Sequence, residues 1–181
     1  LIVPFYFGAT TYLIVSTLAD LTTTMDIGIS VAFLIVSWGL YEALCRSPIV
    51  RSTTVLASSV LVLILVSAFL LTQIFSDRAA FLHVGALIGT IMSANVFVVI
   101  IPNQKKVVAD LLDKKRPDPS LGAQARQRSL HNNYLTLPVL LLMVSAHYPL
   151  LFSGGAAWGW LVVGFIIVIG AIVRHFFNTH H

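Results

Sequence analysis

Long stretches almost free of charged side chains are the feature that most constrains this chain. Crossing a bilayer takes a helix of about 20 mainly apolar residues, and lipid cannot satisfy the open edge of a sheet. No alternating pattern typical of a transmembrane barrel is present in the sequence. We therefore predict an all-α, polytopic transmembrane helix bundle with about five full spans and one partial span. The predicted spans cover residues 1–15 (the partial one), 27–44, 55–75, 79–101, 134–152 and 158–177.

The composition excludes several protein classes. Charged residues make up only 10% of the chain and apolar residues 57%, whereas a soluble domain carries about 25% charged residues. A soluble enzyme and a disordered chain are therefore excluded. The single cysteine, Cys45, excludes a disulfide scaffold, a cysteine-based zinc site and a c-type haem attachment. We interpret the net charge of +4 as a sign of membrane topology and expect no nucleic-acid partner.

The distribution of basic residues predicts the orientation. Of the 11 lysines and arginines, Arg78 is the only one on its side of the predicted membrane. The basic side, which holds the segment 103–130 and the C-terminus, should be cytoplasmic. Within 103–130, apolar residues at helical spacing predict an amphipathic helix on the membrane surface, ended by Pro117 and Pro119. Because the chain opens inside an apolar stretch, we expect it to be part of a longer protein.

Two histidines lie at the outer ends of predicted spans, where ionisable residues are costly and often functional. His83 is near the start of the fourth span and His147 near the end of the fifth, so both are expected at the same depth on the outer side. Such a pair could ligate one haem b iron from both faces. The alternative is that each histidine binds a backbone carbonyl or marks the interface.

A second polar cluster is predicted at the cytoplasmic ends of the same two spans. Amides, one guanidinium and one imidazole of this kind can hold a flat, polar, anionic heterocycle by directional hydrogen bonds. The alternative is helix capping and binding of lipid headgroups. The cluster comprises Asn95, Asn103, Gln104, Arg128, Ser129, His131, Asn132, Asn133 and Tyr134.

Several runs of the sequence resemble one family. They are FLHVGALIGT from Phe81 with its continuation IMSANVFVVIIPNQKKVVADLL, QRSLHNNYLTLP from Gln127 and SAHYP from Ser145. ALCRSP from Ala43 and RHFFN from Arg174 are also similar. Together they resemble the membrane domain of the bacterial, membrane-bound urate oxidase of the cytochrome c type, also called urate hydroxylase. The similarity covers nearly the whole chain.

The resemblance implies an activity and a location. Family members oxidise urate to 5-hydroxyisourate and pass the electrons to a C-terminal cytochrome c domain, which is absent from this chain, as are the first spans. They are inner-membrane proteins of bacteria, so the expected partners are the lipid bilayer, urate and the cytochrome c domain or respiratory chain. The resemblance also implies haem c on the absent domain. Where family members have asparagine in the last run, this chain has Ala146, which puts any hydrogen bond from that position in doubt.

On this reading the predicted site residues take separate roles. Arg128 pairs with the charge of urate, and His131 is the candidate general base. The side chains expected to bind the substrate ring are Asn95, Gln104, Asn132, Asn133 and Tyr134. Electrons would move outward to a haem b held by His83 and His147. Two alternatives stay open: a membrane subunit that carries haem or quinone for a respiratory complex, and a purine transporter.

Overall fold

The computed structural model describes residues 23–47, 52–152 and 156–180. Nearly all of these residues are helical, which confirms the all-α prediction. The predicted partial span 1–15 lies outside the described residues. The elements in chain order are α1 (Thr23–Arg46), α2 (Thr53–Ile74), α3 (Asp77–Ala94), a π-helical turn (Asn95–Ile100), α4 (Ile101–Leu112), α5 (Pro119–Val144), two 3₁₀ turns (Ser145–His147 and Pro149–Phe152) and α6 (Ala156–Thr179).

Among the described residues, four helical segments are long and apolar enough to cross a membrane. They are Ile27–Arg46, Thr53–Ile74, Arg78–Leu112 and Trp158–Thr179. Large apolar side chains cover their outward surfaces, and Phe165 for example is 66% exposed. An apolar exterior of this extent suits lipid rather than water. Helix α5 is not among the four, because its first half is polar.

Helix α3 lies at the centre of the bundle and contacts α1, α2, α5 and α6. Residues 83–88 of α3 are all buried, and the core around them includes Leu56, Leu71 and Leu142. Gly85 lets α5 approach α3, since a Cβ atom there would lie 3.3 Å from Leu142 Cβ. Small residues at helix contacts permit this close packing.

The segment 103–130 forms parts of two helices, whereas the sequence predicted one amphipathic helix there. Helix α4 continues from the fourth span to Leu112, and α5 already begins at Pro119, so the two form an antiparallel helical hairpin joined by residues 113–118. Asp118 caps α5 by accepting a hydrogen bond from the backbone N–H of Ser120 at 2.8 Å. Pro119 therefore starts a helix rather than ending one, as its fixed φ angle favours at a first helical position.

The π-helical turn explains why the helix continues through Pro102. A proline inside a helix lacks one hydrogen bond and clashes with the carbonyl four residues earlier. The wide turn over Asn95–Ile100, in which the Ile101 N–H bonds to the carbonyl of Val96, lies directly before the proline and makes room for its ring. Such turns occur mostly as single wide turns and are frequent at functional sites.

The fifth predicted span, 134–152, is helical only in part. Helix α5 ends at Val144, and the chain reaches Phe152 through the two 3₁₀ turns. Pro138 lies buried inside α5, and its ring faces α6 at Gly170. A Cβ atom on Gly170 would lie 2.8 Å from Pro138 Cδ, so only glycine lets these two helices meet here.

We expect Gly170→Ala to destabilise the bundle, because the added methyl group meets the rigid proline ring rather than a movable side chain. Overpacking of this kind costs about 1–3 kcal/mol. Gly39→Ala is the matched control: a Cβ atom there would contact nothing within 4 Å, and alanine favours the helix. Thermal unfolding in detergent, followed by circular dichroism, measures both. Equal midpoints for the two variants would contradict the packing.

Candidate functional site

A buried polar cluster joins α1, α3 and α5 at the end of the bundle where α5 becomes polar. We call it the Tyr41 network. Most of its hydrogen bonds and ion pairs join side chains on different helices. The exceptions are one bond to a backbone carbonyl and the Glu42–Arg46 pair within α1. Its members are Tyr41, Glu42, Arg46, Asn95, Arg128, His131 and Asn132, with the carbonyl of Met92.

Tyr41 is the centre of this network. Its side chain is completely buried, and its hydroxyl lies 2.7 Å from Nδ1 of His131. Nδ2 of Asn95 donates to the same hydroxyl at 3.0 Å and to Oδ1 of Asn132 at 2.9 Å. Nδ2 of Asn132 in turn donates to the carbonyl of Met92 at 3.0 Å. The hydroxyl of Tyr41 thus connects the predicted imidazole with two of the predicted amides.

Arg128 is held from two sides. Its Nη2 donates to Oε2 of Glu42 at 2.8 Å, and its guanidinium lies over the Tyr41 ring, 5.1 Å from the centroid. Glu42 also accepts a hydrogen bond from Nε of Arg46, four residues further along α1, at 2.6 Å. The Arg128 side chain is buried, yet its Nη1 has no hydrogen-bond partner among the described residues. A buried donor without a partner is costly, so this atom calls for an explanation.

His131 is neutral in this setting. It lies on α5 just before the apolar part of that helix, where burial and, secondarily, the nearby cation of Arg128 lower its pKa to about 4. Its Nδ1 is bonded to Tyr41, and its Nε2 has no hydrogen-bond partner in the described part of the chain. His131 and Arg128 therefore each keep one nitrogen available beside Tyr41.

Asn133 and Tyr134 point away from the network, toward α6. Oδ1 of Asn133 accepts from Nε of Arg174 at 2.8 Å and from Nδ2 of Asn178 at 3.0 Å. The hydroxyl of Tyr134 lies 2.8 Å from Nδ1 of His175. Consecutive residues of a helix are turned by about 100°, so neighbours in the sequence face different partners. The predicted substrate cluster is therefore divided over the circumference of α5.

Gln104 lies outside the network as well. It is exposed and lines a groove of about 620 Å³ between α4 and α5, together with Arg126, Ser129 and Asn133. Its neighbour Asn103 is buried and joins the two helices, donating to the carbonyl of Leu121 at 3.3 Å. The structure thus brings Asn95, Arg128, His131 and Asn132 together and places Gln104 in a separate groove.

His83 and His147 do not fit the predicted haem b. Nδ1 of His83 donates to the carbonyl of Ala79 at 2.8 Å, so Nε2 accepts from the hydroxyl of Ser30, also at 2.8 Å. The ring is completely buried and stacks on Phe75 with centroids 4.5 Å apart, whereas His147 is exposed on a 3₁₀ turn. With both nitrogens of His83 engaged, this histidine has no ring nitrogen open to an iron.

Sequence reasoning missed Tyr41 and Ser30 altogether. Both lie in the predicted span 27–44, where a single hydroxyl is an ordinary residue. Their partners, His131 and His83, are 90 and 53 residues away in the sequence. The histidines themselves were a signal in the sequence. A buried imidazole needs hydrogen-bond partners for its ring nitrogens, and the hydroxyl groups on a neighbouring span are the nearest source of such partners.

Comparison with known proteins identifies the family. The family model described as urate oxidase N-terminal matches residues 1–181. No curated protein and no solved structure matches the chain. The match agrees with the resemblance found in the sequence and covers the helices that carry the Tyr41 network. The chain therefore belongs to the urate oxidase N-terminal family.

Proposed function

We propose that this protein is a membrane-bound oxidoreductase that converts urate to 5-hydroxyisourate and passes the electrons to cytochrome c. The observation that carries the proposal is the family match over the whole chain. The four apolar helices support a location in a bilayer. We further propose the bacterial inner membrane, with the Tyr41 network and the C-terminus toward the cytoplasm, because the lysines and arginines gather at that end.

Arg128 is the proposed anchor for the substrate anion. Urate is a flat anion, and Nη1 of Arg128 is a buried charged donor without a protein partner. A charge-assisted hydrogen bond to a urate oxygen would satisfy it. The Tyr41 ring beneath the guanidinium and Glu42 beside it hold that donor in place before the substrate arrives. Such preorganisation lowers the cost of binding.

His131 is the proposed second contact. It keeps Nε2 available, and its low pKa leaves the imidazole uncharged at neutral pH. The oxidation adds the oxygen of one water to urate and releases two electrons and two protons, so a neutral imidazole beside the ring suits either proton transfer or a hydrogen bond to the developing charge. Asn95 and Asn132 support His131 through Tyr41.

Gln104 and Asn133 keep a proposed role in substrate binding at the groove between α4 and α5. Gln104 is exposed there, and Asn133 lines the same groove while its Oδ1 is bonded to α6. Tyr134 lines a different, mainly apolar groove with His131 and His175. We propose that the polar groove admits urate from the cytoplasm, because its lining includes the cation of Arg126.

A second candidate function is a subunit that carries a quinone without oxidising urate. The observation that favours it is the apolar groove of about 470 Å³ between α2, α5 and α6, with His131, Tyr134 and His175 at its polar end. A lipid-soluble ring fits such a lining better than a purine does. Cytochrome c reduction that depends on quinol but not on urate would select this candidate.

We expect Arg128→Gln to lower kcat/KM for urate by about 10-fold to 100-fold, because a hydrogen bond to a charged group contributes about 1.5–3 kcal/mol. The assay is urate-dependent reduction of cytochrome c by the purified protein. Arg116→Gln is the matched control, since it removes the same charge from an exposed position in the connection 113–118. A similar loss in both variants would exclude Arg128 as the specific anchor.

The low pKa of His131 predicts the pH dependence. An imidazole with a pKa of about 4 is deprotonated throughout pH 5–8, so His131 should contribute no loss of kcat as the pH falls through 6.5. Arg128→Gln removes a cation that lowers this pKa, and should move any acid limb due to His131 upward. The measurement is kcat from pH 4 to 8. An acid limb near 6.5 that disappears in His131→Gln would contradict the prediction.

A further inference from the structure

A chain of hydrogen bonds with a fixed direction leads from the backbone to His131. It begins at the carbonyl of Met92, which can only accept, so the group of Asn132 that meets it is Nδ2 at 3.0 Å. Asn132 therefore presents Oδ1 to Asn95, whose Nδ2 donates at 2.9 Å. The same Nδ2 donates to the hydroxyl oxygen of Tyr41 at 3.0 Å. A backbone atom thus sets the direction of every bond up to Tyr41.

The hydroxyl hydrogen of Tyr41 then has one strong hydrogen-bond acceptor within reach. The oxygen of this hydroxyl accepts from Asn95, and Arg128 above the ring offers only donors. Among the described residues, Nδ1 of His131 at 2.7 Å is the strong acceptor that faces this hydroxyl, and the sulfur of Cys45, which also interacts with Tyr41, is a weaker one. Because Tyr41 is completely buried, a hydroxyl hydrogen without an acceptor would be costly. Tyr41 therefore donates, and Nδ1 of His131 accepts.

We propose that Tyr41 is a positioning residue that holds His131 in the tautomer with its hydrogen on Nε2. A neutral imidazole carries one ring hydrogen, so when Nδ1 accepts, Nε2 is a donor. His131 then offers a hydrogen bond to a negatively charged oxygen of the substrate, next to the donor Nη1 of Arg128. The identity of that oxygen rests on the proposed function, whereas the tautomer does not.

This role replaces that of a general base. To accept a proton at Nε2, His131 would have to carry its hydrogen on Nδ1 and donate it to Tyr41. The hydroxyl hydrogen of Tyr41 would then lose its strong acceptor, since Asn95 already points a donor at the oxygen. With its hydrogen on Nε2, His131 instead offers a hydrogen-bond donor, as Nη1 of Arg128 does, and donors of this kind can stabilise an oxyanion.

Nitrogen NMR of the full chain labelled with ¹⁵N-histidine tests the tautomer without urate. Ring nitrogens with and without hydrogen have well-separated shifts, and His131→Gln identifies the signals of His131 among the six histidines. We expect wild type at pH 7 to carry the hydrogen on Nε2. Tyr41→Phe, which keeps the ring beneath Arg128, should give a mixture of both tautomers, and Asn95→Leu should do the same with Tyr41 intact.

Tyr134→Phe is the matched control, because it removes the hydroxyl of the other tyrosine–imidazole pair, 2.8 Å from His175. It should leave the His131 signals unchanged. A hydrogen on Nδ1 in wild type, or unchanged His131 signals in Tyr41→Phe, would overturn the proposal.

A kinetic measurement separates this proposal from the proposed function. In urate-dependent cytochrome c reduction, Tyr41→Phe should lower kcat roughly 10-fold or more with little change in KM, because a misdirected donor affects the transition state more than binding. An equal rise in KM without loss of kcat would contradict the positioning role. If wild type fails to oxidise urate but shows the expected tautomer and its loss in Tyr41→Phe, the proposed function fails and the assignment of Tyr41 stands.

Discussion

The structure depends on one constraint: a polar group buried between apolar helices must find its partner on another helix. Leaving such a group unpaired costs about 1–3 kcal/mol, and water is not at hand to compensate. Tyr41 on α1, Asn95 on the π-helical turn and Asn132 on α5 satisfy one another across three elements. Apolar side chains alone would let these helices slide or rotate against one another. The directional hydrogen bonds between them fix how α1, α3 and α5 are aligned.

Four of the five full spans were predictable from the sequence because burial in lipid requires a length and a composition that hydropathy measures directly. In the segment 103–130 one amphipathic helix was predictable, but not the second helix that begins at Pro119. The structure instead uses the π-helical turn to carry the helix through Pro102, and uses Pro119 to begin the next one. The π-helical turn and the helix start at Pro119 both depend on local backbone geometry. The type of a residue alone does not reveal that geometry.

The candidate site was predictable in its residue types but not in its arrangement. Arg128, His131 and Asn132 share one face of α5, whereas Asn133 and Tyr134, which follow directly, bond to α6. A cluster in the sequence is therefore spread around a helix, and only the positions of the partner helices decide which members meet. Tyr41 could not be singled out, because its importance comes from a partner 90 residues away.

The two buried histidines show how to tell a structural imidazole from a functional one. His83 uses both ring nitrogens within the protein, bonding Ala79 and Ser30, so it adds stability but has nothing left for a ligand. His131 uses one nitrogen, and the direction of its bond to Tyr41 decides what the other can do. Depth in the membrane, which singled out His83 in the sequence, is therefore a weaker guide to function than the number of unused polar atoms. By that measure Nη1 of Arg128 and Nε2 of His131, which have no hydrogen-bond partner in the described part of the chain, support the substrate contacts that we propose.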